Sequence, residues 1–178
     1  MSLVAAAVLV LLGTGGQEPA APERLPIEKK VVSASGVSVH FLTIPWGPNT
    51  FAAMERGGDS YYSHRTWPFA RLETASAFKL GGHPLEAGNF ALVFHPRSAD
   101  GGGMRLEVRK ITVPEFLIPG NVMTRTPEGV TVATSFAVFE TVDETAPALD
   151  IALEAVAGGA QLVVRYGNRR LTRKLEFD

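Results

Sequence analysis

Four histidines are the first candidates for chemistry in this chain: His40, His64, His83 and His95. No two are spaced H-x-H or H-x-x-x-H, so a metal would have to be gathered from separate strands and loops. The set available for such a site is His64, His95 and a carboxylate, Asp59 or Glu55. Ser63, His64 and Asp59 have the residue types of a hydrolytic triad, but neighbours in an extended segment point to opposite sides and do not meet as one. Glu140, Asp143 and Glu144, in "FETVDET", read as a solvated loop leaving a strand. A basic cluster, Arg165, Arg169, Arg170, Arg173 and Lys174, reads as structural. Within it Arg173 shares the register of Leu171 and Leu175, so it points inward and calls for a carboxylate, Asp150 or Glu154. The glycines at 101–103 are not followed by Lys-Ser or Lys-Thr, and no G-x-S-x-G occurs, so neither a phosphate loop nor a nucleophile elbow is present in the sequence.

The densest polar-aromatic stretch is "YYSHRTWPF", residues 61–69. Pro68 disfavours helix at Trp67, which makes the stretch a loop beside a strand. Loops on a rigid scaffold carry binding sites, and Tyr and Trp offer flat apolar faces with polar edges. Tyr62, His64, Arg65 and Trp67 are therefore the candidate contacts for a small ligand, a glycan or a peptide. The structural alternative has Tyr61, Trp67 and Phe69 capping an open end of the fold, with Arg65 paired to a carboxylate. Neither reading requires a catalytic group, a resident metal or a cofactor.

The elements that must position these residues follow from bulk composition and period. The chain has 178 residues, 17 basic and 18 acidic, for a net charge of -1. No basic footprint points to nucleic acid. There is no cysteine, which excludes disulfides, zinc–thiolate sites and thiol nucleophiles. The run "LVAAAVLVLLG" (3–13) is too short to span a bilayer but fits the core of a signal peptide, with small residues following it. Residues 1–16 are expected to be a signal peptide and 17–29 a Gly/Pro/Ala linker. Residues 30–178 then form one exported domain, periplasmic or extracellular, with no stable membrane span once the signal is cut.

From residue 30 the hydrophobic period is two. "VSVHF" (37–41), "RLETASAFKL" (71–80), "NFALVF" (89–94), "MRLEVRK" (104–110) and "VTVATSFAVFE" (130–140) all alternate, as do "LDIALE" (149–154), "QLVVRY" (161–166) and "RLTRKLEF" (170–177). Such alternation marks strands with one buried face. Glycine-bearing turns separate them, and 149–156 with 160–166, and 161–166 with 169–177, read as hairpins. In 130–140, Val130, Val132, Phe136 and Val138 share one register. The expected fold is an all-β, antiparallel, jelly-roll-like sandwich of 8–10 strands, with no helical stripe of ten residues outside the leader. Three function classes fit it: a non-catalytic binding module using the 59–69 loop; a metal-dependent or hydrolytic enzyme on a double-stranded β-helix using His64, His95 and Asp59; and an envelope or assembly partner that lends a strand edge. Segment 114–128 is either a lid or a plain crossover.

The order of motifs from 61 to 96 resembles a family of mostly bacterial exported proteins catalogued as domain of unknown function number 2911. The family's stretch G-x-x-L-P-A-G-x-Y-x-L-x-x-x-P is matched by Gly82, Leu85, Ala87, Gly88, Phe90, Leu92 and Pro96. Its preceding W-R-T-G-A-N-E is matched at Arg65 and Thr66, with His64 in place of Trp and Trp67 in place of Gly. The tail "GGAQLVVRYGNRRLTRKLEF" looks like the family's closing hairpin, with Tyr166 where a Trp is usual. The resemblance covers about 36–96 and 148–177. It implies an exported β-sandwich-like domain and no known reaction.

Overall fold

The structure, a computed structural model, describes residues 25–57, 65–98, 102–119 and 125–177. These residues form ten strands and one helix: β1 (Lys29–Ala34), β2 (Val37–Leu42), α1 (Pro48–Arg56), β3 (Trp67–Thr74), β4 (Phe78–Leu80), β5 (His83–Leu85), β6 (Gly88–His95), β7 (Arg105–Ile111), β8 (Gly129–Phe136), β9 (Glu140–Val156) and β10 (Gly159–Glu176). A six-stranded sheet in the order β1-β2-β3-β6-β7-β8 packs on a four-stranded sheet in the order β5-β4-β10-β9. All pairings are antiparallel. The fold is thus the all-β sandwich that the two-residue period predicts. The alternation places Val37, Val39 and Phe41 of β2, and Leu106 and Val108 of β7, in the core. Burying one face of each sheet against the other is the dominant favourable term in such a fold.

Several elements differ from the sequence expectation. Residues 71–80 alternate as one strand, yet the chain breaks at 75–77 and passes from the larger sheet into the smaller one. Thr74 makes the corner: its hydroxyl donates to the Ser76 carbonyl at 2.9 Å and accepts from the Ser76 N–H at 3.2 Å. Such local side-chain bonds compete with a ladder. The turn between β4 and β5 is the Gly81-Gly82 pair, both at positive φ, 57° and 85°. Glycine accepts this geometry at no steric cost, as a tight hairpin requires. Residues 161–177 are not a hairpin: β10 runs unbroken through Gly167 and Asn168. Residues 140–144 belong to β9 rather than to a loop. In β8 the shared register of Val130, Val132 and Phe136 is the exposed one, because this strand is the sheet edge and Ala133 alone turns into the core.

Helix α1 closes the end of the sandwich where β2 and β6 finish and β3 begins. Pro48 starts it, as suits the first turn of a helix. Its nine residues are too few to show a helical stripe in the sequence. Phe51 on its buried face joins Trp46, Trp67, Phe69, Phe94, Phe139 and Tyr166 in one aromatic cluster, with Phe69 and Phe94 stacked at 4.0 Å between centroids. On the outer face of the larger sheet, Phe116 and Leu117 of the 113–119 segment cover Leu42, Ala91, Val93 and Ile111. That part of the 114–128 stretch is a covering strap. It explains why β6 is apolar on both faces.

Tyr166 ties the two sheets together. Its hydroxyl donates to the Pro45 carbonyl at 2.8 Å and accepts from the Gly47 N–H at 3.2 Å. Burial pushes the phenol pKa up, keeping it a donor at any physiological pH. Tyr166→Phe should keep the ring packing and lose both bonds, lowering unfolding free energy by about 1–3 kcal/mol. Urea denaturation of the two forms checks this.

Candidate functional site

Two polar sites stand out, and they differ in how well their polar atoms are satisfied. The first is centred on Glu107, in the middle of β7. The alternation of "MRLEVRK" points Glu107 away from the core, yet it is only 4% exposed. Its Oε1 accepts from Arg109 Nε at 2.9 Å and from the Thr131 hydroxyl at 2.5 Å, and its Oε2 pairs with His95 Nε2 at 2.5 Å. Antiparallel register brings these groups together: His95 lies opposite Arg105 on β6–β7, and Arg109 lies opposite Thr131 on β7–β8. Burial pushes the carboxyl pKa up, but the hydrogen bonds from Thr131, His95 and Arg109, with the Arg109 charge, outweigh it and hold the group below its ordinary value. Both oxygens are occupied. This network fastens β6, β7 and the edge strand β8 to one another.

A second polar group on the same face joins β2, β3 and β6. Arg71 donates to His40 Nε2 at 2.9 Å and to Asn89 Oδ1 at 3.4 Å. Burial, then the neighbouring Arg71 charge, lowers the His40 pKa, so the imidazole is the neutral acceptor that the guanidinium needs.

The second site is a cleft of about 520 Å³ at the opposite margin of the sandwich, between the start of β1 and an irregular stretch of β9. Its origin lies in β10. Gly167 has φ of 60°, and an ideal Cβ there would sit 2.1 Å from the Trp46 ring. Only glycine fits beneath that ring in that conformation. The kink breaks the β9–β10 register. Arg165 lies opposite Asp150, Gly167 opposite Ala146 and Arg169 opposite Thr141. Between the outer pairs β9 therefore carries eight residues against three on β10. The surplus peels away from β10 and pairs with the strand that leaves β2: Trp46 N–H bonds to Pro147 O and Leu149 N–H to Ile44 O. Bulges of this kind recur beside binding sites because they re-aim side chains.

Val142 and residues 144–150 of β9 form one wall of the cleft, Leu25, Pro26, Glu28 and Lys30 the other, and Arg165, Gly167 and Arg170 lie between them. The wall is mixed. Val142, Ala146 and Pro147 are apolar, whereas Glu144 and Asp150 are acidic. Arg165 is 3.5 Å from Asp150, both half exposed.

The arginines of β10 have distinct fates. Arg169 forms a bidentate pair with Glu55 of α1, at 2.9 and 3.0 Å, and also reaches Thr141 and Asn168. Arg173 donates to the Thr172 and Phe136 carbonyls rather than to Asp150 or Glu154. Two main-chain acceptors meet the need of this half-buried guanidinium, and Asp150 is already beside Arg165. The Arg170 Nε, by contrast, is buried with no hydrogen-bond partner among the described residues.

Of the residues expected in a ligand site, Tyr62 and His64 lie outside the described residues, as does Asp59 of the alternative metal set. Trp67 is partly buried in the aromatic cluster, 5.1 Å from Tyr166 and 5.8 Å from Phe94 between ring centroids. That is the capping position. Arg65 lies two residues before β3 and is exposed. His95 is engaged by Glu107 and Glu55 by Arg169. No three His, Asp or Glu side chains converge as a metal site among the described residues, and no helix among them is long and apolar enough to cross a membrane. The cleft was not legible beforehand because its residues are remote in sequence. Its one signal was Gly167-Asn168 inside an otherwise continuous strand pattern, which marks a bulge as readily as a turn. Comparison with protein-family models, curated proteins and solved structures finds no match.

The Glu107 network makes a pH-dependent prediction. A carboxyl held below its ordinary value contributes stability that is present above that value and lost as pH falls through the folded one. Glu107→Gln should cost about 1–3 kcal/mol near neutrality. The gap between the two forms should begin to close near pH 4.5, the ordinary value, and vanish only once the pH has fallen below the lower folded value. Chemical denaturation across that range checks both statements.

Proposed function

We propose that this chain is an exported, non-catalytic β-sandwich module that binds a small ligand or a peptide end in the cleft between β1 and the displaced part of β9. The observation that carries this reading is the contrast between the two polar sites. At Glu107 every strong acceptor is occupied, which is how a structural network looks. Arg170 lines the cleft, and its buried Nε has no acceptor among the described residues, beside a concavity with both apolar and charged walls. Ligand sites combine these features: a concave, partly apolar surface with a few polar groups left to fix orientation. The exported setting rests on the apolar leader and on the resemblance of residues 82–96 to an exported family. This reading places the ligand away from the 59–69 loop, where Trp67 is occupied with capping.

A second reading, assembly through a strand edge, has one observation in its favour. Edge strand β8, "GVTVATSF", carries no charge and no proline, and Val130, Val132 and Phe136 are 70, 40 and 62% exposed. Natural edges are normally blunted by such residues. Sedimentation at rising concentration should then show self-association that Val132→Lys abolishes; a monomer at every concentration contradicts it.

The cleft itself is tested by titrating a library of small fragments into the isotope-labelled protein and following backbone amides. The expected responders are residues 142–150 and 165–170. Shifts confined to 65–69, or none, would overturn the assignment of the cleft.

A further inference from the structure

We infer that the cleft selects a monoanionic carboxylate carried on a short apolar body; this rests on the cleft being the binding site. The unpartnered Arg170 Nε needs an acceptor, and none of the described side chains supplies one. A guanidinium presents its N–H groups as a fork that matches a carboxylate or phosphate in two parallel bonds. The other charges choose between these anions. Lys30, Arg165 and Arg170 line the cleft together with Glu28, Glu144 and Asp150, three cations against three anions. A cleft of zero net charge has no excess field for a dianion, and its carboxylates repel one. A single negative charge at Arg170 meets half the repulsion from these carboxylates that a dianion would meet. The remaining walls, Leu25, Pro26, Val142 and Pro147, give an apolar lining against which a few carbons of the ligand lose water. Such a carboxylate comes either from a free short-chain acid or from the C-terminus of a peptide with an apolar last residue. Both present the same group to Arg170.

The test uses four probes on the full domain, read by amide shifts and calorimetry: pentanoate, N-acetyl-L-leucine, N-acetyl-L-leucine methyl ester and inorganic phosphate. At least one of the two carboxylates should move the amides of 142–150 and 165–170. The ester and phosphate should bind at least tenfold more weakly. Arg170→Gln should weaken carboxylate binding at least tenfold. Lys30→Gln, at an exposed position that does not threaten folding, should weaken it several-fold. A response to N-acetyl-L-leucine alone marks a peptide end as the source, and a response to pentanoate alone marks a free acid; either supports the inference. Equal binding of phosphate or ester, or carboxylate affinity unchanged in both variants, overturns it. If neutral fragments move the cleft amides while neither carboxylate does, the cleft stands as a site and the ligand class fails. If no compound moves them, both readings fail.

Discussion

The contact between the Trp46 ring and Gly167 governs the asymmetric half of this molecule. At 60°, the φ of Gly167 lies where a side chain is strained, and the indole fills the space a side chain would occupy. Trp46 is held there from the other direction, by its N–H bond to Pro147 and by an edge-on contact with Tyr166 at 4.7 Å. The kink this imposes on β10 does two things at once. It turns Tyr166 inward so that its hydroxyl can close on the Pro45–Gly47 turn, and it forces β9 out of register. The first effect joins the two sheets at one margin. The second leaves a wall of β9 residues standing away from the sheet, with a cleft behind it.

Polar satisfaction then separates structure from opportunity. The outer face of the larger sheet carries a buried charge at Glu107 and a partly buried one at Arg71, each with partners from adjacent strands, and the strap covers Ala91 and Val93 beside them. Low polarity around such a network strengthens each bond and raises the cost of any gap in it. The cleft has the reverse character. Its charges balance as a set, yet Arg170 keeps a buried donor unmatched, a state that natural folds rarely leave without a reason.

Much of this architecture was legible from period and turn chemistry. Alternation located β2, β7 and the β9–β10 hairpin because each has one face in the core, and it located β6 by Phe90, Leu92 and Phe94 although the strap buries its other face too. It failed where the environment differs from that assumption. β8 is an edge, so its valines are exposed and its small Ala133 is the buried residue. The 71–80 stretch alternates across a corner because Thr74 keeps the pattern while its hydroxyl ends the ladder. Glu107 alternates as a surface residue, and only the three-dimensional pairing with His95 and Thr131 shows that it is buried. The same holds for the cleft: Lys30, Asp150 and Arg170 line one cavity only because a kink at one glycine throws residues 142–149 of β9 out of register. The aromatic stretch at 61–69 was conspicuous by composition, and at Trp67 the aromatic serves the core.

The cleft depends on the register break between β9 and β10. That break is tested most directly by cross-strand Hα–Hα nuclear Overhauser contacts between β9 and β10 in solution. The structure predicts contacts that follow the pairs Gly167–Ala146 and Arg169–Thr141, together with contacts between the 44–46 and 147–149 segments. A continuous ladder running on from Arg165–Asp150, with Gly167 opposite Ala148 and Arg169 opposite Ala146, would contradict it and remove the cleft with it.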